Sequence, residues 1–379
     1  MTAPRADKKA LFNEDRFRRL MDESDLAAVI ATSPANITYT SGYHNVDMKL
    51  LPERMKAVIL PRYGAPILML NGNRNTVDTH IEDVRRYPLY EGVMDPGLWS
   101  LVEILRTMEL VDEKVGIEMR YVTGHTLGVL EKEFPRMRWV GADDLLERTR
   151  QVKTAEEIEL MRHAARVTDR AIAMAYRSAT PTDTEKAVGD AMSYNVMRFG
   201  ADIVAFNILA SGRRMAAGHH TGAAVPLEPG SLMRCDFGAS FQGYYSDLAR
   251  LAVVGTLSPR QRDTYARYLD VHHRTLDFVK PGVTGEEIFD YACGLYREHE
   301  LSLPMMGGHS IGLVIHERPV IIPGDDWEVE EGMTMCIETV SSVEEHNEHY
   351  HLEDMIVVTK NGVEVLSDYT SLDTPIEIT

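Results

Sequence analysis

Residues 233–254 read MRCDFGASFQGYYSDLARLAVV, and their reading decides the second half of the chain. A glycine-bearing turn at residues 241–243 predicts a β-hairpin, and in a hairpin centred there Asp236 and Asp247 lie about opposite each other. Opposed residues on paired strands share a face, with Cβ atoms about 5 Å apart. Two carboxylates that close repel each other unless a cation or a shared proton intervenes. Two exposed acids flanking a turn would explain this segment equally well.

Three further segments shift that balance. Residues 307–319 (GGHSIGLVIHERP) carry His309 and His316, seven apart in a glycine-rich stretch, with Glu317 beside the second. Residues 332–340 (GMTMCIETV) have strand character and set Glu338 among apolar residues. A carboxylate there is costly to bury unless paired or metal-bound, the alternative being a strand-edge glutamate facing water. Residues 351–359 (HLEDMIVVT) open an apolar strand with Glu353 and Asp354, of which only one can point inward. Together the segments offer four carboxylates and one imidazole. Oxygen-rich ligation with one nitrogen suits Mn²⁺, Co²⁺, Fe²⁺ or Zn²⁺. Two cations sharing carboxylates, about 3.5 Å apart, can activate a water between them.

Outward from these segments, the second half shows four helix starts. Thr154 with Glu157 and Ser258 with Gln261 make capping boxes, in which the two side chains satisfy free backbone donors. Thr182 with Glu185 and Thr284 with Glu287 have the same spacing. Helices alternating with hairpin signals suit an α+β domain, an antiparallel sheet covered by helices. The first half differs. Apolar runs at residues 26–32, 55–60 and 66–70 read as strands, the last two joined by a turn at Tyr63 and Gly64. Weaker strands at 115–117 and 137–140 alternate with helical patterns at 98–110 and 125–134, as in an α/β domain. The boundary falls near residues 150–153, giving domains of 1–150 and 151–379. No internal repeat is visible.

Bulk composition narrows the function classes. The 379 residues suit two domains. Hydrophobic residues make up 44% and charged residues 26%, enough apolar material for two cores. The formal net charge of −18 argues against nucleic acid or an anionic membrane surface as partner, since both need basic protein surface. Three widely spaced cysteines, Cys235, Cys293 and Cys336, do not form a disulfide framework; each reads as a small buried residue in a reducing compartment. Residues 1–15 are polar and charged, without the apolar stretch of a secretory signal, and no run approaches the roughly 18 apolar residues of a membrane span. A cytoplasmic protein is expected.

In order and spacing the four segments resemble the pita-bread metallopeptidase superfamily, which holds Xaa-Pro dipeptidases (prolidases), Xaa-Pro aminopeptidases and methionine aminopeptidases. The resemblance covers nearly the whole chain and points to the prolidase-like branch. Residues 25–43 (DLAAVIATSPANITYTSGY) are similar to the first strand and turn of its creatinase-like N-terminal domain, and residues 150–164 to the start of its catalytic domain. The resemblance implies two divalent ions per subunit, Mn²⁺ foremost. Asp236 would chelate one, His309 and Glu338 hold the other, and Asp247 and Glu353 bridge them. Glu338 would carry the proton. His219, 17 residues before Asp236 in the GHH at 218–220, takes the place of the substrate-side histidine, with His220 the alternative. His219 and His316 would hold the carbonyl oxygen or donate to the tetrahedral intermediate. The family also implies a homodimer.

Two places depart from the pattern. The peptidases usually read Glu-Pro-Gly where this chain has Glu338-Thr339-Val340, and they carry an arginine where it has His351. An arginine makes a fixed bidentate contact that a histidine cannot replace, so His351 would meet a different substrate group. His346 and His349, in the EEHNEHYHLE stretch at 344–353, read as a solvated loop at the pocket mouth. The leading expectation is a two-metal hydrolase of an amide C–N bond, most simply an Xaa-Pro dipeptidase or aminopeptidase acting on small peptides. A metal-dependent hydrolase or lyase of a small non-peptide metabolite (a cyclic amide, amidine or betaine-like compound) is the alternative. A non-catalytic binding protein fits less well, because such relatives have typically lost ligands.

Overall fold

The computed structural model describes residues 7–72, 77–88, 95–110, 112–217 and 219–379. Residues 1–6 of the polar N-terminal stretch and Gly218 of the GHH sequence lie outside the described residues. The chain forms two compact units, Ala6–Arg150 and Gln151–Thr379.

The first unit runs α1 (Glu14–Glu23), β1 (Ala28–Ala31), α2 (Pro34–Ser41), α3 (Asp47–Leu50), β2 (Ala57–Pro61), β3 (Ile67–Asn71), β4 (Asp83–Tyr87), α4 (Pro96–Arg106), β5 (Lys114–Ile117), α5 (Gly124–Glu133), β6 (Arg138–Gly141) and α6 (Asp143–Gln151). Its strands form one mixed sheet in the order β4-β3-β2-β1-β5-β6. Every residue of β1 and β2 is buried, so both faces of the sheet centre are covered, as in α/β folds. This is why the strands read as continuous apolar runs rather than alternating ones. β4, with the sequence DVRRY and only Tyr87 buried, gave no apolar signal and was not expected.

The second unit follows with α7 (Ala155–Ser178), α8 (Glu185–Arg198), β7 (Ile203–Ser211), β8 (Leu232–Phe241), β9 (Tyr244–Tyr245), β10 (Leu248–Val254), α9 (Pro259–Phe278), α10 (Gly285–Glu298), β11 (Gly308–Ser310), β12 (Glu317–Val320), β13 (Thr334–Val343), β14 (Glu348–Thr359), β15 (Gly362–Val365) and β16 (Ile376–Ile378). The sheet runs β12-β11-β13-β14-β10-β8-β7, antiparallel along this path. β16 adds a parallel strand beside β10. The fold is thus an α/β unit followed by an α+β unit whose antiparallel sheet is covered by helices.

The capping boxes form at Thr154, Ser258 and Thr284, with both reciprocal bonds present. The start expected at Thr182 falls instead at Thr184, whose hydroxyl accepts from the Ala187 N–H. Glu185 could not serve as the box partner because its fully buried carboxylate is committed elsewhere: it accepts from the Ser211 N–H and hydroxyl, Arg214 and the Ala223 N–H. The two helix pairs α7/α8 and α9/α10 are built alike. In each, the capping threonine of the second helix (Thr184, Thr284) bridges to a later residue (Pro226, Glu328).

Candidate metal centre

The predicted hairpin is present, with a turn at Gln242 and Gly243, both at positive φ, of the kind that joins right-twisted strands in two residues. Its register corrects one expectation. Asp236 faces Ala249, not Asp247, so the aspartates are diagonal neighbours on one face. Ala249 also faces Glu353 of β14, and Glu353 faces Glu338 of β13 directly. His309 of β11 faces Cys336, two residues before Glu338 and therefore on the same face of β13. Adjacent strands thus bring all five predicted ligands to one patch of the sheet. Gly308 makes this approach feasible: at φ +131, any Cβ there would collide with the Cys336 carbonyl oxygen.

The side chains converge. His309 Nε2 lies 3.7 Å from Asp247 Oδ2 and 3.6 Å from Glu338 Oε1. His309 Nδ1 is 3.0 Å from the Ser310 carbonyl oxygen, which can only accept, so Nδ1 carries the hydrogen and Nε2 keeps its lone pair for the cluster. Burial pushes the Asp247 carboxyl up, and Asp236 is close enough that its charge adds to this. Of the predicted substrate-side histidines, His316 packs edge-on against His309 with ring centroids 4.3 Å apart. His219 is exposed. His351, expected to meet substrate, is 4% exposed, its Nε2 3.2 Å from Glu338 Oε2 and 3.6 Å from Glu353 Oε2.

The electrostatics demand a cation or protons. Burial pushes Asp247 and Glu353 well above the usual carboxylate range, and each is pushed further by its acidic neighbours. Asp236 is raised by burial too. Glu338 goes the other way: burial alone would raise it, but the hydrogen bond and charge of His351 outweigh this and hold it low. Burial pushes His309 down to about 4, keeping the imidazole neutral, the form that ligates. Among the described residues, Asp247 Oδ1 and Glu353 Oε1 are buried without a hydrogen-bond partner. Orphaned carboxylate oxygens beside a neutral imidazole lone pair are the donor set of a divalent-metal site, and the residues present fit one.

Sequence reading missed or misplaced three features. Cys336 is buried as expected, yet its sulfur joins a set of potential ligand atoms with Asp247, His309 and Glu353. The signal was there, two residues before Glu338 on a strand. Burial first, then the Glu353 charge, pushes the Cys336 thiol well above its usual range, so it stays protonated. Second, Lys153 pairs with Glu317 at 3.0 Å, both side chains 1% exposed, and nothing in the linear sequence joined them. Third, His349 is not in a solvated loop. β13 and β14 extend further than read, putting it half-buried on a strand, its Nδ1 2.9 Å from the Ser342 hydroxyl. His346 is exposed in the turn between them, as expected.

Comparison with known proteins agrees with the fold and with a metal-dependent hydrolase. Residues 159–360 match Metallopeptidase family M24, and residues 15–152 match the Creatinase/Prolidase N-terminal domain. The chain is 27% identical over 365 residues to an Xaa-Pro dipeptidase of Pyrococcus furiosus, covering 93% of this chain and 97% of the relative. It is 30% identical over 350 residues to a probable dipeptidase, PepE, of Mycobacterium bovis, covering 90% and 89%. Among solved structures, an X-Pro aminopeptidase from Thermotoga maritima superposes with a TM-score of 0.82 at 24% identity, over 96% of this chain and all of that one; this likeness shows the fold. The class that fold and site define is a metal-dependent amide hydrolase with the pita-bread fold. The chain belongs to metallopeptidase family M24, in its prolidase-like branch.

Proposed function

We propose that the protein is an Xaa-Pro dipeptidase or aminopeptidase with two divalent ions per subunit. The observation that carries this is the convergence of Asp236, Asp247, His309, Glu338 and Glu353 on one sheet face, with buried carboxylate oxygens lacking partners. The dipeptidase relatives support a small peptide as substrate. In this reading residues 151–379 form the catalytic domain and residues 1–150 the creatinase-like domain.

Asp236, Asp247 and Glu353 would hold one ion; His309 and Glu338, with Asp247 and Glu353 shared, would hold the other. Such ions lower the pKa of a bound water and polarise a carbonyl. Glu338, held low against burial by the imidazoles around it, would take the proton of the attacking water. As the C–O bond forms and the C–N bond breaks, Glu338 passes that proton to the leaving nitrogen. His316, beside His309, and His219 or His220 would donate to the carbonyl oxygen as it gains charge.

Mn²⁺ is the first metal to try, because the ligand set is mostly carboxylate oxygen. A cytoplasmic location is supported by three free, buried cysteines. No helix among the described residues is long and apolar enough to cross a membrane. A homodimer follows from the family resemblance alone. The non-peptide alternative gains nothing from the comparisons.

The test is hydrolysis of Xaa-Pro dipeptides and short Xaa-Pro-Yaa peptides after chelation and add-back of Mn²⁺ or Co²⁺, with metal counted per subunit. Metal-dependent cleavage is expected. Two ions bound with no cleavage of any such peptide would leave the centre standing and reject the peptidase reading.

A further inference from the structure

We propose that His351 is itself a metal ligand, its Nε2 supplying a second imidazole nitrogen to the centre together with Glu353 and one oxygen of Glu338. The inference rests on the two-ion reading above and divides the centre into two halves. Glu338 stands between them: Oε1 faces His309 at 3.6 Å and Oε2 faces His351 at 3.2 Å.

Geometry favours ligation over a hydrogen bond alone. One Nε2–H can satisfy one oxygen, yet Nε2 has two carboxylate oxygens within reach, at 3.2 and 3.6 Å. The other Glu353 oxygen, Oε1, is buried with no partner. A cation among the three groups serves them all. With ligand distances of about 2.1 Å, edges of 3.2 and 3.6 Å subtend about 100° and about 118° at the ion, the range of four-coordinate sites. His309 shows the same spacing to its own carboxylates, 3.6 and 3.7 Å, so the two imidazoles are placed alike. His351 is 4% exposed, and among the described residues its Nδ1 has no hydrogen-bond partner; beyond the cluster its ring meets that of His349, centroids 6.4 Å apart. The arginine expected at this place could not act so, having no lone pair to give.

A consequence follows for metal choice. The half around Asp236 and Glu353 would otherwise be all oxygen, which suits Mn²⁺. A nitrogen there raises the affinity for Co²⁺ and Zn²⁺ relative to Mn²⁺.

The experiment strips the full-length protein with a chelator and titrates Co²⁺, reading bound metal by equilibrium dialysis and visible absorption. His351→Gln keeps an amide nitrogen near the place of Nε2, able to donate to Glu338 as that atom can, but removes the imidazole. Wild type is expected to take two Co²⁺. The variant should keep one, with its spectrum, and bind the second more than about 100-fold more weakly, beyond the usual loss for an outer partner. A folding failure in the variant is covered by the wild type alone. Its Co²⁺ form should show two exchangeable, paramagnetically shifted imidazole N–H resonances, one each from His309 and His351. A single such resonance, or a variant binding two Co²⁺ with wild-type affinity and spectrum, overturns the assignment while the centre stands. Wild type taking up no Co²⁺ rejects the metal reading itself.

Discussion

Glu338 is the residue on which most of the chemistry turns. It is held low by an imidazole, whereas its neighbours Asp247 and Glu353 are pushed high by burial and by one another. Replacing it with glutamine keeps the shape but removes the base. Glu338→Gln should lower kcat by roughly 10²- to 10⁴-fold, the usual worth of general acid–base catalysis, with metal partly retained. Steady-state kinetics beside metal analysis would check this, and unchanged kcat would move the proton transfer elsewhere. Glu157 tests burial at the residue scale away from the centre. It accepts from the Thr154 N–H at 2.8 Å and the Tyr244 hydroxyl at 2.9 Å, yet burial pushes it up to about 8. Its folded value exceeds its unfolded one, so its contribution to stability is full below about pH 4.5 and is lost as pH rises towards 8. Glu157→Gln mimics the protonated form. The variant should match wild type near pH 5 and be more stable by several kcal/mol near pH 9, read by urea unfolding at each pH. Parallel pH profiles for the two proteins would show that Glu157 ionises freely in the fold.

Between elements, Arg250 ties the ligand strands to the helices behind them. From β10 it donates to Asp169 of α7 at 3.0 Å, to Asp354 of β14 at 2.9 Å and to the Glu353 carbonyl. His272 of α9 joins Asp354 to Thr339, at 3.1 Å from each. This network sits behind Glu338 and Glu353 and fixes the strand positions that carry them. Burial alone would raise Asp354, but Arg250 and His272 outweigh it and hold it low. Asp354→Ala leaves the buried Arg250 guanidinium and the His272 ring each short of a partner, and unfolding by urea should show a loss of about 3–5 kcal/mol. A loss under about 1 kcal/mol would mean the network does not hold the sheet. The same network marks what could be read in the sequence. Capping signals and apolar runs gave the helix starts and most strands because they act within a few residues. Local pattern narrowed the five candidate ligands to four segments, but strand periodicity says only which residues share a face, so it took the family resemblance to choose His309 over His316 and Glu353 over Asp354. Asp169 and Arg250, or Lys153 and Glu317, meet only through the tertiary fold, and no local pattern announces such pairs. The likeness of α7/α8 to α9/α10 was equally hidden, since the two pairs share backbone construction rather than residues. That likeness gives the centre its origin in two halves: Asp236 and Asp247 follow the first helix pair, and His309, Glu338 and Glu353 follow the second.

For the whole molecule, metal and folding are coupled through charge. The chain carries a net charge of −18, and its second unit gathers four carboxylates in one buried patch. Without ions, Asp236, Asp247 and Glu353 have raised folded values. Their contribution is therefore full below the unfolded carboxylate range of about 4 and is lost as pH rises through the raised values. Bound ions reverse this, because they favour the charged forms and add RT ln(1 + [L]/Kd), about 4 kcal/mol for each site at a thousandfold excess over Kd. Chelation should therefore lower the melting temperature markedly near pH 8 and far less near pH 5.5, where protons already neutralise the stripped cluster. Differential scanning calorimetry with and without chelator at the two pH values reads the effect. The shift is expected in the transition of the Gln151–Thr379 unit, with any separate transition of Ala6–Arg150 unmoved. An equal shift at both pH values would mean that protons and metal do not compete for these carboxylates, and the ligands would have to be sought elsewhere in the chain.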